Sequence, residues 1–330
     1  MPERIVVTGA AGFIGSHLVE ALLERGDEVI GIDNFDPFYA PAEKRSNLAG
    51  AQANPRFHLL EVDCAELPDL RSALEPFAFD ALVHLAAKAG VRPSIQDPVG
   101  YVRANVVATQ CVLEVLRERR VGRFIFGSSS SVYGNNEKVP FGEDDPVDRP
   151  ISPYAATKRA AELLCHTYHH LYDLGVLALR FFTVYGPRQR PDLAIRKFSE
   201  LMLAGKPIQM FGDGTTERDY TWIDDIIGGV TAAIDRSCTH AAEFEIINLG
   251  ESRTTSLRRL IELIATSLGS EPRIQRLPPQ PGDVQRTFAD VAKARRLLGY
   301  RPTTPVEDGI PRFLEWLRHT HRLADPVPDS

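Results

Sequence analysis

The stretch Arg4-Ile-Val-Val-Thr-Gly-Ala-Ala-Gly-Phe-Ile-Gly15 decides the fold of this chain of 330 residues. Its beginning predicts a short buried strand, and an apolar helical pattern follows from about residue 12. The glycines between them, Gly9, Gly12 and Gly15, are typical of the turn that joins strand to helix in a dinucleotide-binding unit. In such a unit the helix N-terminus faces the charge of a pyrophosphate.

A second apolar run, residues 28–32, ends at Asp33 and supports a cofactor site. A carboxylate at this place accepts hydrogen bonds from the adenosine ribose and would repel a 2′-phosphate, so the sequence favours NAD over NADP. A glycine triplet by itself would also fit a structural turn without a ligand. The second strand and its acidic end favour the dinucleotide interpretation.

Apolar runs typical of strands alternate with helical patterns, which predicts an α/β fold with a doubly wound parallel sheet, a Rossmann domain. The predicted strands lie at about 4–8, 28–32, 57–60, 80–84, 123–127 and 176–181, and the predicted helices at about 12–25, 66–75, 97–118 and 153–174.

The pattern becomes irregular after residue 180. Residues 183–220 predict one helix near 193–204, and a helix from about Asp224 precedes a strand at 244–248 that returns to the sheet. We therefore predict a discontinuous pair of domains. Residues 1–182 with 221–250 form the NAD-binding Rossmann domain, and residues 183–220 with 251–330 form a smaller α/β domain that binds the substrate.

The composition is that of a globular protein in a reducing compartment. The chain has 43% hydrophobic residues, 38 basic and 44 acidic residues and a net charge of −6, without long runs of either sign. This balance argues against a nucleic-acid partner and a membrane surface. Cys64, Cys111, Cys165 and Cys238 are far apart, so no metal site is predicted. The lack of an evident leader or spanning run predicts a cytoplasmic location.

Tyr154 and Lys158 are four residues apart on a predicted helix and so share one face. A free tyrosine has a pKa of about 10 and is a poor base unless positive charge stabilises the phenolate. The Lys158 ammonium and an oxidised nicotinamide would both do so. The serines from Ser128 to Ser131 follow a predicted strand, where ligands bind in open parallel sheets. At least one of them is expected to relay a proton. A chance pair on a surface helix and a merely polar serine turn are the alternatives.

Together these motifs resemble the extended short-chain dehydrogenase/reductase superfamily, and within it the nucleotide-sugar 4-epimerases. The similarity covers nearly the whole chain and is greatest to UDP-glucuronate 4-epimerases. The segments that carry it are Asp33-Asn34-Phe35, Ala89-Gly-Val-Arg92, Arg180-Phe-Phe-Thr-Val-Tyr-Gly-Pro187, Phe211-Gly-Asp-Gly214 and Gln280-Pro-Gly-Asp-Val284.

The resemblance implies an NAD site in which Asp33 and Asn34 hold the adenosine ribose and Asp63 and Cys64 lie beside the adenine. The implied cofactor residues are Gly9, Gly12, Phe13, Ile14, Asp33, Asn34, Asp63, Cys64, Leu85, Ala86, Ala87, Asn105, Ser128, Tyr154, Lys158 and Phe181.

The resemblance also implies catalytic roles, a substrate site and an assembly. Tyr154 would be the base, Lys158 would bind the nicotinamide ribose and lower the tyrosine pKa, and Ser129 would be the relay. A homodimer would form through the helices at about 97–118 and 153–174. The implied UDP-sugar residues are Ser129, Ser130, Ser131, Thr183, Arg190, Lys197, Gln209, Phe211, Arg218, Gln280 and Asp283.

The polar side chains Ser130, Ser131 and Thr183 bear on which sugar is bound. Related dehydratases carry an Asp-Glu pair where the two serines stand, so elimination lacks its acid and base here. Thr183 stands where glucose epimerases tend to have asparagine. We therefore predict epimerisation of UDP-glucuronate to UDP-galacturonate through a 4-keto intermediate. The alternatives are a UDP-glucose or UDP-N-acetylhexosamine 4-epimerase, a UDP-glucuronate decarboxylase and, more distantly, a non-catalytic NAD-binding sensor.

Overall fold

A parallel sheet of seven strands forms the centre of the molecule, a computed structural model that describes residues 2–240, 242–278 and 284–324. The strands, in chain order, are β1 Arg4–Thr8, β2 Glu28–Asp33, β3 Phe57–Glu61, β4 Ala81–His84, β5 Arg123–Ser129, β6 Gly175–Phe181, β7 Thr183–Tyr185, β8 Ile208–Phe211, β9 Glu217–Arg218, β10 Tyr220–Trp222, β11 Phe244–Leu249, β12 Thr255–Ser256 and β13 Ile274–Leu277.

Helices connect these strands and cover the sheet. They are α1 Phe13–Arg25, α2 Pro41–Asn47, α3 Ala49–Gln52, α4 Leu67–Leu74, α5 Val91–Gln96, α6 Pro98–Val102, α7 Ala108–Arg119, α8 Pro153–Tyr172, α9 Ala194–Leu203, α10 Ile223–Thr239, α11 Leu257–Leu268, α12 Ala292–Leu298 and α13 Val306–Ala324. A π turn, Arg103–Val107, joins α6 to α7, and a 3-10 turn, Ser130–Tyr133, follows β5.

The order of strands in the central sheet is β3-β2-β1-β4-β5-β6-β11, and every neighbouring pair is parallel. The order reverses between β1 and β4, which opens a crevice at the carboxyl ends of the strands. The predicted fold class is therefore confirmed. The predicted return of the strand near residue 244 is confirmed as well, because β11 pairs with β6.

The sheet is buried on both faces by apolar side chains that alternate along each strand. In β1, Ile5 and Val7 join the cluster that includes α1 and α10, whereas Val6 joins the cluster formed with α4, α7 and α8. Continuous apolar runs such as residues 5–7 arise because neither face meets water. This packing fixes the ends of the strands that form the crevice.

The helix predicted at about 97–118 is confirmed as one continuous helical segment that runs from α6 through the π turn into α7. The structure differs from the sequence prediction at α2, α3 and α5, which were not predicted, and in the segment after β6. The segment 183–220, predicted to hold one helix, also contributes short strands to three two-stranded sheets, β7 with β10, β9 with β12 and β8 with β13. Strands of two to four residues are too short to show a readable alternation. The division into two domains remains a prediction.

Among the described helices, none combines the length and the apolar character needed to cross a bilayer.

Candidate active site

A cavity of about 600 Å³ lies at the carboxyl ends of the central strands. Its wall includes residues that end or follow β1 to β6, so the switch in strand order has produced the expected binding crevice. The predicted cofactor residues that line it are Gly9, Gly12, Phe13, Ile14, Asp33, Asn34, Asp63, Cys64, Leu85, Ala86, Ala87, Ser128, Tyr154, Lys158 and Phe181.

The glycine-rich turn after β1 is packed so closely that side chains do not fit. Gly9 has φ +69°, and a Cβ there would lie 2.7 Å from the amide nitrogen of Ala86. A Cβ at Gly15 would lie 2.0 Å from the Gly9 carbonyl oxygen. The start of α1 therefore lies against the turn, and its positive end faces the cavity, which suits a phosphate.

Asp33 ends β2 with a buried carboxylate that still has acceptor capacity. Its Oδ2 accepts a hydrogen bond from the amide of Ala11 at 3.0 Å, and its Oδ1 accepts one from the amide of Phe35 at 2.8 Å. Burial raises the pKa of this carboxyl, and the charge of Lys44 opposes that rise. Because each carboxylate oxygen has two lone pairs, the hydroxyls of a ribose find acceptors here.

Helix α8 brings the two predicted chemical residues to the cavity. Pro153 begins the helix, and Ser152 Oγ accepts a hydrogen bond from the amide of Ala155 at 3.1 Å. This cap fixes the first turn. Tyr154 and Lys158 follow one turn apart, and both are buried side chains that line the cavity.

Lys158 is held beneath the end of β5. Its ammonium donates a hydrogen bond to the carbonyl oxygen of Gly127 at 2.7 Å and lies 5.1 Å from the centre of the Phe126 ring. Burial lowers the pKa of this ammonium to about 8. Lys158 is therefore still mostly charged at neutral pH.

Among the chain's own groups, burial has the largest effect on Tyr154 and raises the pKa of the phenol, and the lowering by Lys158 together with an oxidised nicotinamide stays a prediction. The Lys158 ammonium has three N–H groups, and its hydrogen bond to the Gly127 carbonyl uses one of them. The hydrogen bond with Ser129 and the charge of Arg190 oppose the effect of burial only in part. Ionising the phenol therefore requires further positive charge in the cavity, such as an oxidised nicotinamide carries.

The hydroxyl groups predicted to bind the sugar reach the same cavity. Ser129 ends the strand β5, Ser130 and Ser131 follow it, and Thr183 begins β7 just after the end of β6. All four side chains belong to residues that line the cavity. The amide of Ser131 donates to Ser129 Oγ at 3.2 Å, which fixes the first hydroxyl in the row.

Two arginines of the predicted substrate site also line the cavity, Arg190 and Arg218. The Arg190 guanidinium lies 5.2 Å from the centre of the Phe38 ring and donates a hydrogen bond to the carbonyl oxygen of Ala89 at 3.2 Å. It is also paired with Asp192 at 2.9 Å. These contacts hold its charge at the mouth of the cavity near the Tyr154 phenol.

Asn105 lies behind the cavity wall rather than on it. Its Nδ2 donates to Thr157 Oγ1 and to the Lys88 carbonyl, both at 2.9 Å, and its Oδ1 accepts from the Lys88 amide at 2.8 Å. The π turn turns Asn105 toward these partners. Asn105, a predicted cofactor residue, therefore does not line the cavity. Its hydrogen bonds connect the loop after β4 to α8.

Other predicted substrate residues do not line the cavity. Lys197 on α9 and Gln209 on β8 are exposed. Phe211 is half-buried, and the Arg92 guanidinium lies 4.7 Å from the centre of its ring. Gln280 and Asp283 lie outside the described residues.

Sequence reasoning missed the segment after β2, where Phe38 and Tyr39 line the cavity together with Lys44 of α2. The Lys44 ammonium donates to the Asp36 carbonyl at 2.8 Å and lies 4.9 Å from the centre of the Tyr39 ring. The Tyr39 hydroxyl is buried and has no hydrogen-bond partner among the described residues. Three aromatic residues within 35–39 were the available signal, since a plain surface loop rarely carries so many.

Arg103 is a second missed residue of the cavity wall. Its Nη1 donates to Asp63 Oδ2 at 2.7 Å, and its Nη2 donates to Glu66 Oε1 at 2.6 Å. The Asp63 carboxylate predicted beside the adenine is therefore already paired. No spacing pattern indicates this pair, because forty residues separate its members.

The model of the family described as the NAD dependent epimerase/dehydratase family matches residues 5–250 of this chain. The UDP-glucuronate 4-epimerase of Thermodesulfobacterium geofontis is 39% identical over 323 residues, which cover 98% of each chain. The crystal structure of UDP-glucuronic acid 4-epimerase from Bacillus cereus in complex with UDP-glucuronic acid and NAD is 39% identical, has a TM-score of 0.90 and is matched over 99% of its chain and 96% of this one. The UDP-glucose 4-epimerase of Thermotoga maritima with UDP-glucose is 32% identical, with a TM-score of 0.87 and the same coverage. Since the match extends over more than half of its length, the chain belongs to the NAD dependent epimerase/dehydratase family.

Proposed function

We propose that this protein is an NAD-dependent epimerase that converts UDP-glucuronate to UDP-galacturonate by inverting carbon 4 through a 4-keto intermediate. The placement of acidic side chains carries the proposal. Among the described residues of the cavity wall, the carboxylates are Asp33, which ends β2, and Asp36 and Asp63, which follow β2 and β3. The end beyond β5 and β6 carries hydroxyls instead. Elimination of water needs an acid and a base beside the sugar, so simple epimerisation fits this wall better.

The β1–β3 end of the cavity fits the cofactor. Gly9 and Gly12 line the cavity at the start of α1, where the positive end of the helix suits a pyrophosphate, and Asp33 offers acceptors to ribose hydroxyls. When bound, NAD accepts a hydride from the sugar carbon and returns it. Lys158 and Phe181 lie at the other end of the cavity wall, where the nicotinamide would be held.

The proton passes between the sugar hydroxyl and Tyr154. The phenol interacts with the Ser129 hydroxyl, so the proton of the sugar 4-hydroxyl reaches Tyr154 directly or through Ser129. Lys158, fixed by the Gly127 carbonyl, keeps a positive charge on the floor of the site. The same groups return the proton after the sugar has turned, so the reaction has no net change in redox state.

The hydroxyls at the sugar end suit a substrate that carries a carboxylate at carbon 6. Oxidation of glucuronate at carbon 4 gives a β-keto acid, which loses carbon dioxide easily. Ser130, Ser131 and Thr183 offer uncharged donors that keep the carboxylate solvated and add no acid to the site. Such a wall preserves the intermediate until the hydride returns.

Direct assay of the two sugar nucleotides tests this function. The protein is incubated with UDP-glucuronate and, separately, with UDP-glucose, and products and carbon dioxide are measured over time. We expect UDP-galacturonate from the first, little turnover of the second, and no carbon dioxide. A preference for UDP-glucose would contradict the proposed substrate, and release of carbon dioxide would identify a decarboxylase.

Thr183→Val is the first variant that we predict. It keeps the shape of the side chain and removes one donor to a charged group, which is worth roughly 1.5–3 kcal/mol. We therefore expect kcat/KM for UDP-glucuronate to fall about 10-fold or more and that for UDP-glucose to change little.

The matched control is Thr215→Val, because Thr215 is exposed in a loop and its hydroxyl donates to Asp213. This control should leave both kcat/KM values near those of the wild type. Equal losses for both sugars in Thr183→Val would remove Thr183 from the recognition of the carboxylate.

The protein is proposed to form a homodimer through α6, the π turn and α8, which pack against one another. Val99, Val102 and Val107 on the first two are 79%, 47% and 41% exposed, and Leu163 on α8 is 53% exposed. An apolar face of this kind is typical of an interface between identical subunits. The cytoplasmic location remains a prediction from the sequence.

Leu163→Arg tests the interface. A guanidinium placed opposite apolar side chains loses water without gaining a partner, so we expect the dimer to dissociate about 100-fold more readily. Light scattering after size-exclusion chromatography measures the change. Leu203→Arg on α9 is the matched control, since Leu203 is 44% exposed outside this face. A wild-type protein that is monomeric at high concentration would contradict the proposal.

A further inference from the structure

A buried carboxylate, Glu162, lies one turn beyond Lys158 on α8. Its side chain is fully buried, and its two oxygens accept hydrogen bonds from Nε and Nη2 of Arg180, each at 2.9 Å. Arg159 donates a third at 3.0 Å. Burial opposes ionisation, but the hydrogen bond and charge of Arg180 outweigh it and hold the pKa of Glu162 below its usual value. An ionised carboxylate accepts hydrogen bonds and donates none.

Ser128 is bound to this carboxylate. Its Oγ donates to Glu162 Oε1 at 2.6 Å, a short charge-assisted hydrogen bond. A hydroxyl has one proton and two acceptor lone pairs. Because Glu162 has no proton to give, the proton of Ser128 stays in this bond. Ser128 also lines the cavity, and any hydrogen bond that its oxygen makes to a bound molecule there must be one that it accepts.

Ser129, the next residue, has different partners. In the ladder between β5 and β6, Ser128 pairs with Arg180 and Ser129 pairs with Phe181. Successive strand residues point to opposite faces, so Ser129 is turned away from Glu162. Its oxygen accepts the Ser131 amide at 3.2 Å, and its hydroxyl interacts with Tyr154. The proton of Ser129 is therefore free to move.

We propose that Glu162 is a positioning residue that holds the proton of Ser128, so that Ser128 acts only as an acceptor toward the bound cofactor or substrate and the relay described above falls to Ser129. In the relay, the sugar 4-hydroxyl gives its proton to Ser129 Oγ while Ser129 gives its own to the Tyr154 phenolate. One proton enters Ser129 and one leaves. The relay rests on the proposed function, whereas the fixed orientation of Ser128 does not.

The ionisable groups around the two serines come from α8, β4, β6 and the turn after β5. His84 on β4 stays neutral because burial lowers its pKa to about 3. The groups are Tyr154, Lys158, Arg159, Glu162, Cys165, His84, Arg180 and Tyr133.

Thiol titration tests the orientation of Ser128 without any assay of activity. Ser128→Cys and Ser129→Cys are each made in a Cys238→Ser background, because Cys238 is exposed and burial raises the pKa of the thiols of Cys64 and Cys165. Adding Glu162→Gln should lower the pKa of the thiol introduced at position 128 by about one unit and shift that at position 129 much less. An equal change in the pKa of the thiols at positions 128 and 129 on adding Glu162→Gln, or no change at position 128, would overturn the proposal.

Kinetics of alanine variants test the relay and leave the buried ion pair intact. We expect Ser129→Ala to lower kcat about 100-fold and to change the pH dependence of kcat. Ser128→Ala should instead raise KM and weaken retention of NAD, with the pH dependence of kcat like that of the wild type. A changed pH dependence in Ser128→Ala as large as that in Ser129→Ala would overturn the assignment, whether or not Glu162→Gln folds.

Tyr133→Phe controls for a purely structural effect. The Tyr133 hydroxyl accepts from Arg180 Nη1 at 3.0 Å and donates to Asn248 Oδ1 at 2.7 Å, without touching Ser128. This variant should lose thermal stability and keep the wild-type pH dependence. Wild-type protein that fails to epimerise UDP-glucuronate would defeat the proposed function, and the thiol titration would then still decide the orientation of Ser128.

Discussion

Tyr154→Phe is expected to lower kcat about 1,000-fold, because it removes the group that accepts and returns the proton of the sugar hydroxyl. The ring stays in its buried place, so KM for UDP-glucuronate and the content of bound NAD should remain close to those of the wild type. The rate of UDP-glucuronate conversion, followed over hours at several concentrations, gives kcat and KM. The absorbance of NAD released on denaturation gives the content of bound NAD.

Tyr101→Phe is the matched control for this change. The Tyr101 ring packs edge-on against Tyr154 with centres 6.1 Å apart, and its hydroxyl donates to the Ala89 carbonyl at 3.1 Å. Losing that hydrogen bond costs roughly 1 kcal/mol of stability and leaves the base in place. If Tyr154→Phe kept turnover like that of Tyr101→Phe, the proton would have to pass through another group.

The strands of the central sheet were predictable because the sequence pattern that indicates each strand lies within the strand itself. The strands β1, β2, β4, β5 and β6 are short runs that are almost wholly buried, and Gly9 and Gly15 stand where backbone contacts exclude a side chain. The strands β7 to β10 were not predictable in the same way. They have two to four residues, and their pairing depends on partners such as β12 and β13 that are far away in the chain.

The chemical residues were predictable where spacing on one element decides the geometry. Tyr154 and Lys158 reach one cavity because they share a face of α8. Contacts between distant segments were not predictable, as Arg103 with Asp63 shows, and neither was the burial that raises the pKa of the Tyr154 phenol. Spacing places Lys158 near the phenol, but only the fold shows that its ammonium points to the Gly127 carbonyl.

Arg180→Met is expected to have the largest effect on stability. Arg180 and Glu162 are both almost completely buried, with side chains 1% and 0% exposed, and they share two hydrogen bonds. Removing the guanidinium leaves a carboxylate with much less compensation in the core, which costs about 3–5 kcal/mol. Denaturant unfolding of wild type and variant measures the loss.

Arg159→Met is the control, because Arg159 contacts the same carboxylate from a side chain that is 29% exposed. A partly solvated ion pair of this kind contributes about 0–1 kcal/mol, so the control should lose little. Equal losses in both variants would show that the stability does not come from the buried bidentate pair.

The dependence on pH separates loss of charge pairing from loss of packing. In the wild type Arg180 holds the pKa of Glu162 low, so the pair stabilises the fold above the unfolded pKa of about 4.3 and loses this effect as the pH falls through the folded value. In Arg180→Met burial dominates and raises the pKa, so the variant gains stability as acid protonates the carboxyl. The difference in free energy of unfolding between the wild type and Arg180→Met should therefore become smaller as the pH is lowered from 8 to 5. A difference that stays constant would assign the loss to packing of the arginine side chain.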